Sequence, residues 1–120
     1  MKKQLAGMVL VVSFLLSACG GSSSNPAGQY AGRMFGGTNA GPVSIKVYGA
    51  QDNLLGTLGL GNSSYSGLCD AAGAYLECAF RNNAELITFK GNLRGSEWSG
   101  TWAYGNGVES YSGSFTVSRL

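Results

Sequence analysis

From residue 28 onward, apolar and polar residues alternate in steps of two. Val43, Ile45 and Val47 alternate with Ser44, Lys46 and Tyr48, and Leu76, Cys78 and Phe80 alternate with Tyr75, Glu77, Ala79 and Arg81. Ile87, Phe89 and Leu93 share one face, opposite Thr88, Lys90 and Asn92. Tyr111, Phe115 and Val117 alternate with Ser110, Ser112, Thr116 and Ser118. Successive side chains of a strand point to opposite faces, so this pattern predicts half-buried antiparallel strands. Turn-forming clusters fall between the runs: Gln51-Asp52-Asn53, Gly61-Asn62-Ser63, Ala72-Gly73, Asn82-Asn83, Arg94-Gly95-Ser96 and Gly105-Asn106-Gly107. The alternation and the turns together predict eight strands, near 28–35, 42–49, 53–60, 64–69, 74–81, 85–94, 97–104 and 109–119. Beyond the N-terminal apolar run, no stretch has the length and pattern of a helix.

Connections of a few residues make sequential strands antiparallel neighbours. An open meander of this length would leave two unpaired edges, and closure removes them. The expected fold is therefore all-β, an eight-stranded antiparallel up-and-down meander closed into a small barrel, with a two-sheet sandwich as the alternative. A recurring aromatic-x-Gly triplet favours the barrel: Tyr30-Ala31-Gly32, Tyr65-Ser66-Gly67, Trp98-Ser99-Gly100 and Tyr111-Ser112-Gly113. Positions i and i+2 share a face, so each aromatic is expected beside a glycine, as a narrow interior requires.

The first 27 residues are built differently. Lys2 and Lys3 precede an uncharged apolar run, Leu5 to Leu16, that ends in small residues, as a secretory signal does. The run is shorter than the ~20 residues a membrane-spanning helix needs. Leu16-Ser17-Ala18-Cys19 resembles the lipobox of bacterial lipoproteins. That resemblance implies cleavage before Cys19, with a diacylglyceryl thioether and an N-acyl group, palmitate-like chains, on that residue. Three acyl chains hold firmly, since each buried CH₂ contributes ~0.8 kcal/mol and two chains already suffice for stable anchoring. Residues 1–18 then form the signal peptide, 19–27 a lipidated cysteine and Gly/Ser-rich tether, and 28–120 the β domain. In lipoproteins of Gram-negative bacteria, Asp after the lipidated cysteine tends to retain the protein in the inner membrane. Gly20 at that position implies the outer membrane.

Charge and cysteine content narrow the function. Without Lys2 and Lys3, six basic and six acidic residues remain, scattered and without a run of one sign. That balance offers no electrostatic footprint for nucleic acid. With Cys19 assigned to lipid, Cys69 and Cys78 are left as a pair in an exported chain, and a disulfide is expected. A metal site is disfavoured, because the sequence contains no histidine and no Cys-x-x-Cys.

The absence of histidine also removes the usual general base of a hydrolytic triad. The six carboxylates are expected at turns or on outward faces, and neither Gly59-Leu60-Gly61 nor Gly105-Asn106-Gly107 precedes a helix. The chain is accordingly expected to be no enzyme and to need no cofactor. Its expected role is a non-catalytic, membrane-anchored binding module for a protein or small ligand. The alternative is a structural surface lipoprotein with a role in attachment or envelope maintenance. Tyr48 and Tyr75, on outward faces, are the candidate contacts, together with the loop at Gly105-Asn106-Gly107. Trp98 and Trp102 are expected in the core. The mature part resembles the small β-barrel lipoproteins and periplasmic inhibitors of Gram-negative bacteria, some of which block proteases or lysozyme. No inhibitor motif matches residue by residue, so no site is carried over.

Overall fold

The computed structural model describes residues 25–37 and 40–120. It contains eight strands: β1 Gly28–Phe35, β2 Gly41–Ala50, β3 Asn53–Leu60, β4 Ser63–Ala72, β5 Tyr75–Asn82, β6 Glu85–Arg94, β7 Glu97–Gly105 and β8 Ser110–Arg119. Each pairs antiparallel with the next, and β8 returns to β1, with Tyr30 opposite Arg119 and Gly32 opposite Val117. The meander is therefore a closed barrel, not a sandwich. Strands β1, β3 and β6 have the bounds that alternation predicts. Strand β4 runs three residues further, to Ala72, because its pairing with β5 continues from Cys69↔Cys78 to Ala72↔Tyr75 before the chain turns.

Five of the connections are two-residue turns. Gly73, at φ 61°, and Asn83, at φ 56°, open two of them in the left-handed region. Two-residue hairpin turns need that backbone to match the twist of the strands, which is why glycine and asparagine stand there.

The inward face is apolar and filled. Tyr30, Met34, Ile45, Val47, Leu58, Leu76, Phe80, Ile87, Phe89, Trp98, Trp102 and Phe115 are essentially inaccessible to solvent. Phe115 lies edge-on to both Phe89 and Trp98, with ring centroids 4.9 and 5.0 Å apart. Such pairs contribute ~0.5–1.5 kcal/mol beyond simple burial. The two indole N–H groups are satisfied inside the barrel, Trp98 donating to the Leu76 carbonyl at 3.2 Å and Trp102 to that of Phe35 at 3.0 Å.

The aromatic-x-Gly triplets explain how so narrow a barrel closes. Gly67 is opposite Phe80, Gly100 opposite Phe115 and Gly113 opposite Trp102. A Cβ on Gly67 would fall onto the Ala79 carbonyl oxygen, and one on Gly100 onto that of Lys90. The missing side chains let neighbouring backbones close in, and the space they vacate on the inner face receives the opposing ring. The outer face carries Lys46, Arg81, Asp70, Glu77 and Lys90 among serines and threonines. This inward-apolar, outward-polar order is the reverse of a membrane-spanning barrel.

Candidate functional site

Register converts the outer face of β1 to β6 into ordered rows. One row crosses the sheet as Gln29, Lys46, Thr57, Ser66 and Arg81, each directly opposite the next on the adjacent strand. A second, parallel row runs Tyr48, Leu55, Leu68 and Ala79. A third joins Asp70, Glu77 and Lys90.

Along the first row the surface sinks into a trough of about 640 Å³. Ser44, Gly59, Ser64, Asn82 and Leu120 also line it, and its floor reaches the core residues Tyr30, Ile45, Leu58 and Tyr65. The hollow has two causes. A twisted barrel curves like a saddle, concave along the strands. The outward residues here are also small, with glycine at 59 and hydroxyls at 44, 57, 64 and 66. A shallower groove of about 370 Å³ shares Ser44 and Gly59 with it and continues toward Pro42 and Gly61. No acidic side chain lines the trough, and Lys46 and Arg81 stand at opposite sides of its hydroxyl-lined centre. Lys46 Nζ also lies 5.7 Å from the centre of the Tyr48 ring. The trough thus offers two cations separated by groups that both donate and accept hydrogen bonds.

Both candidate tyrosines are partly exposed, Tyr48 at 40% and Tyr75 at 38%. They are not brought together. Tyr48 belongs to the apolar row with Leu55, whereas Tyr75 pairs with Asn92 near the opposite edge of β5 and donates to Glu77 at 3.3 Å. The Gly105-Asn106-Gly107 loop is closed on itself, with Asn106 Oδ1 accepting from the backbone N–H of Val108 at 2.9 Å and of Glu109 at 2.7 Å. Trp98 and Trp102 lie in the core. Cys69 and Cys78 face each other across β4 and β5, buried and joined by a disulfide. Cys19 lies outside the described residues. Among the described residues no group of three or more acidic or cysteine side chains is placed to hold a metal ion. The chain matches no protein-family model, no curated protein and no solved structure.

One carboxylate beside a turn faces the barrel mouth. Glu85, the first residue of β6, has the same phase as Ile87 and Phe89 and turns toward the barrel mouth. There it accepts hydrogen bonds from Tyr65 at 2.9 Å and Tyr104 at 2.7 Å, and Tyr104 stacks on Tyr111. Burial first, and then the hydrogen bond to and charge of Glu85, push the Tyr65 phenol up to about 12. Tyr104 is pushed up as well, chiefly by its hydrogen bond to Glu85. Both carboxylate oxygens of Glu85 are thus engaged by phenols at the barrel mouth.

Three members of the outer face escape a search for exposed aromatics. Leu68, 65% exposed, is the clearest. Its signal is in the sequence: Tyr65, Gly67 and Cys69 point inward, so Leu68 must point out. Arg81 and Lys46 are 35 positions apart, and only the strand register shows that they share a row.

Proposed function

We propose that this chain is a membrane-anchored envelope lipoprotein whose barrel is a non-catalytic binding module, engaging its ligand on the outer face of β2 to β5. The anchor rests on Leu16-Ser17-Ala18-Cys19 and its resemblance to a lipobox, and Gly20 supports the outer membrane. The observation that carries the binding role is the trough on the outer wall of a filled barrel. Tightly packed aromatic rings fill the interior, which leaves the outer wall as the place for a ligand. The adjoining Tyr48–Leu55–Leu68 row supports the same face, since a purely structural surface calls for a polar, patch-free exterior. The contact residues are then Lys46, Tyr48, Thr57, Ser66, Leu68 and Arg81, with Tyr75 outside the face.

A photo-crosslinking amino acid at Ser66, compared with one at Ser114 on the far side of the barrel, tests this in intact cells. An adduct formed from position 66 and absent from 114 is expected. Equal labelling from both positions, or none from either, overturns the assignment of this face. The anchor is tested separately by Cys19→Ser, which is expected to leave the protein unprocessed or soluble. A mature-sized, acylated product from that variant would disprove the lipid site.

A further inference from the structure

We propose that the trough binds an anionic saccharide, with Lys46 and Arg81 each holding one negatively charged group of the ligand and Thr57 and Ser66 hydrogen-bonding the sugar between them. The inference rests on the reading of the β2 to β5 outer face as the ligand-binding face, and it adds the chemistry of the ligand.

Spacing comes first. Lys46, Thr57, Ser66 and Arg81 are consecutive cross-strand partners, so three strand spacings separate the two cations. At ~4.8 Å per strand their backbones stand ~14 Å apart. The matching ligand is elongated, with negative charges separated by more than one sugar ring. A single small anion would satisfy only one end.

The sign of the charge follows from the lining. Lys46 has Gln29 and Thr57 across from it, and Arg81 has Ser66 and Leu86, so neither cation faces a carboxylate across the sheet. The acidic pair Asp70 and Glu77 lies two rows away, on the far side of the apolar row. An incoming anion therefore meets two cations and no acidic side chain in the lining of the trough.

The remaining lining separates a saccharide from an acidic peptide. A peptide commonly docks on a β protein by adding a strand at a sheet edge, and a closed barrel has no edge. The long axis of the trough also crosses the strands, where the backbone groups are already used in the ladder. Recognition there falls to side chains, and these are hydroxyls and amides that donate and accept at once. Sugar hydroxyls offer the same dual character.

The full-length protein, purified in non-ionic detergent, is titrated by calorimetry with four probes of equal length. These are an oligogalacturonate, its fully methyl-esterified neutral counterpart, a phosphorylated oligoglucan and oligoglutamate. Binding of the galacturonate or the phosphorylated glucan, with the neutral ester and oligoglutamate at least tenfold weaker, is the expected result, and the better of the two names the anion as carboxylate or phosphate. Lys46→Gln and Arg81→Gln should each weaken that binding roughly tenfold or more, as expected for loss of a charge-assisted contact. Lys90→Gln, outside the trough, should leave it unchanged, and all three variants should keep the parent melting temperature. Oligoglutamate binding as tightly as the acidic sugars overturns the proposal, as does binding of none of the probes. If the position-66 crosslink persists while the sugars fail, the ligand chemistry is wrong and the binding face stands.

Discussion

A glycine in a β-strand usually weakens it, yet five of the inward glycines of this barrel occupy places where no other residue fits. A Cβ on Gly32, Gly67, Gly91, Gly100 or Gly113 would collide with a carbonyl oxygen of the adjacent strand. Gly67→Ala should therefore destabilise the domain by roughly 1–3 kcal/mol, the cost of an overpacked core. Gly105, whose Cβ would meet nothing nearer than 4.0 Å, is the control: Gly105→Ala should be neutral or slightly stabilising in chemical denaturation. Glu85 sets a second residue-scale behaviour. An unfolded tyrosine loses its proton near pH 10, whereas Tyr65 holds its proton until about 12. Between those values the unfolded state has released a proton that the folded state retains, so stability is full below pH ~10 and falls as pH rises toward ~12. Glu85→Gln removes the hydrogen-bonded charge but leaves the burial, so the Tyr65 midpoint should move down without reaching 10. Ultraviolet titration of tyrosinate, with Tyr65→Phe to identify the transition, checks this. An unchanged midpoint would show that Glu85 does not govern it.

At the scale of elements, the β4–β5 hairpin is the most strongly tied pair. It combines a two-residue turn at Gly73, the Cys69–Cys78 disulfide and the Gly67–Phe80 packing. In the chain-entropy view, closing a loop of this size stabilises by roughly 2–3 kcal/mol. Reduction, or Cys69→Ala with Cys78→Ala, should therefore lower the melting temperature while the barrel still forms, and near-ultraviolet circular dichroism would show a retained aromatic core. Two labelled free thiols in non-reduced, unfolded protein would instead exclude the bond. Most of the strands were legible because their apolar and polar residues alternate between turn-forming clusters. Their ends were less so: Ala71 and Ala72 carry no apolar contrast, and the last turns of β4 and β7 are set by partners on other strands. The chain before β1 shows the same limit. Asn25–Ala27 read as Gly/Ser-like tether, but Arg119 donates to the Asn25 carbonyl at 2.8 Å and Tyr30 to that of Pro26 at 2.7 Å. A contact to a residue more than ninety positions away leaves no local trace.

At the scale of the whole molecule, the same distinction separates what could be read of the site from what could not. That Tyr48 and Lys46 face outward follows from Val43, Ile45 and Val47 facing inward. That they stand level with Leu68 and Arg81 follows only from the register of three hairpins. The trough is thus a property of the assembled sheet, and Thr57 and Ser66, unremarkable in sequence, lie at its centre only because the turns set their partners. Closure has a consequence in time. Strand β1 has one neighbour nearby in the chain, β2, and another, β8, whose residues 114–119 come last. Until that final strand arrives, β1 and β7 each present an open row of N–H and C=O groups, and the core around Phe115 and Trp98 lacks one of its rings. The proposed secretory route would carry the chain across a membrane before it folds, and the last strand to cross would then be the one that completes the barrel, so that folding ahead of transport is disfavoured by topology. The cost is slow, non-local closure. Refolding should accordingly show an early phase in which the hairpins protect their amides, followed by a slower one in which β1 and β8 become protected together.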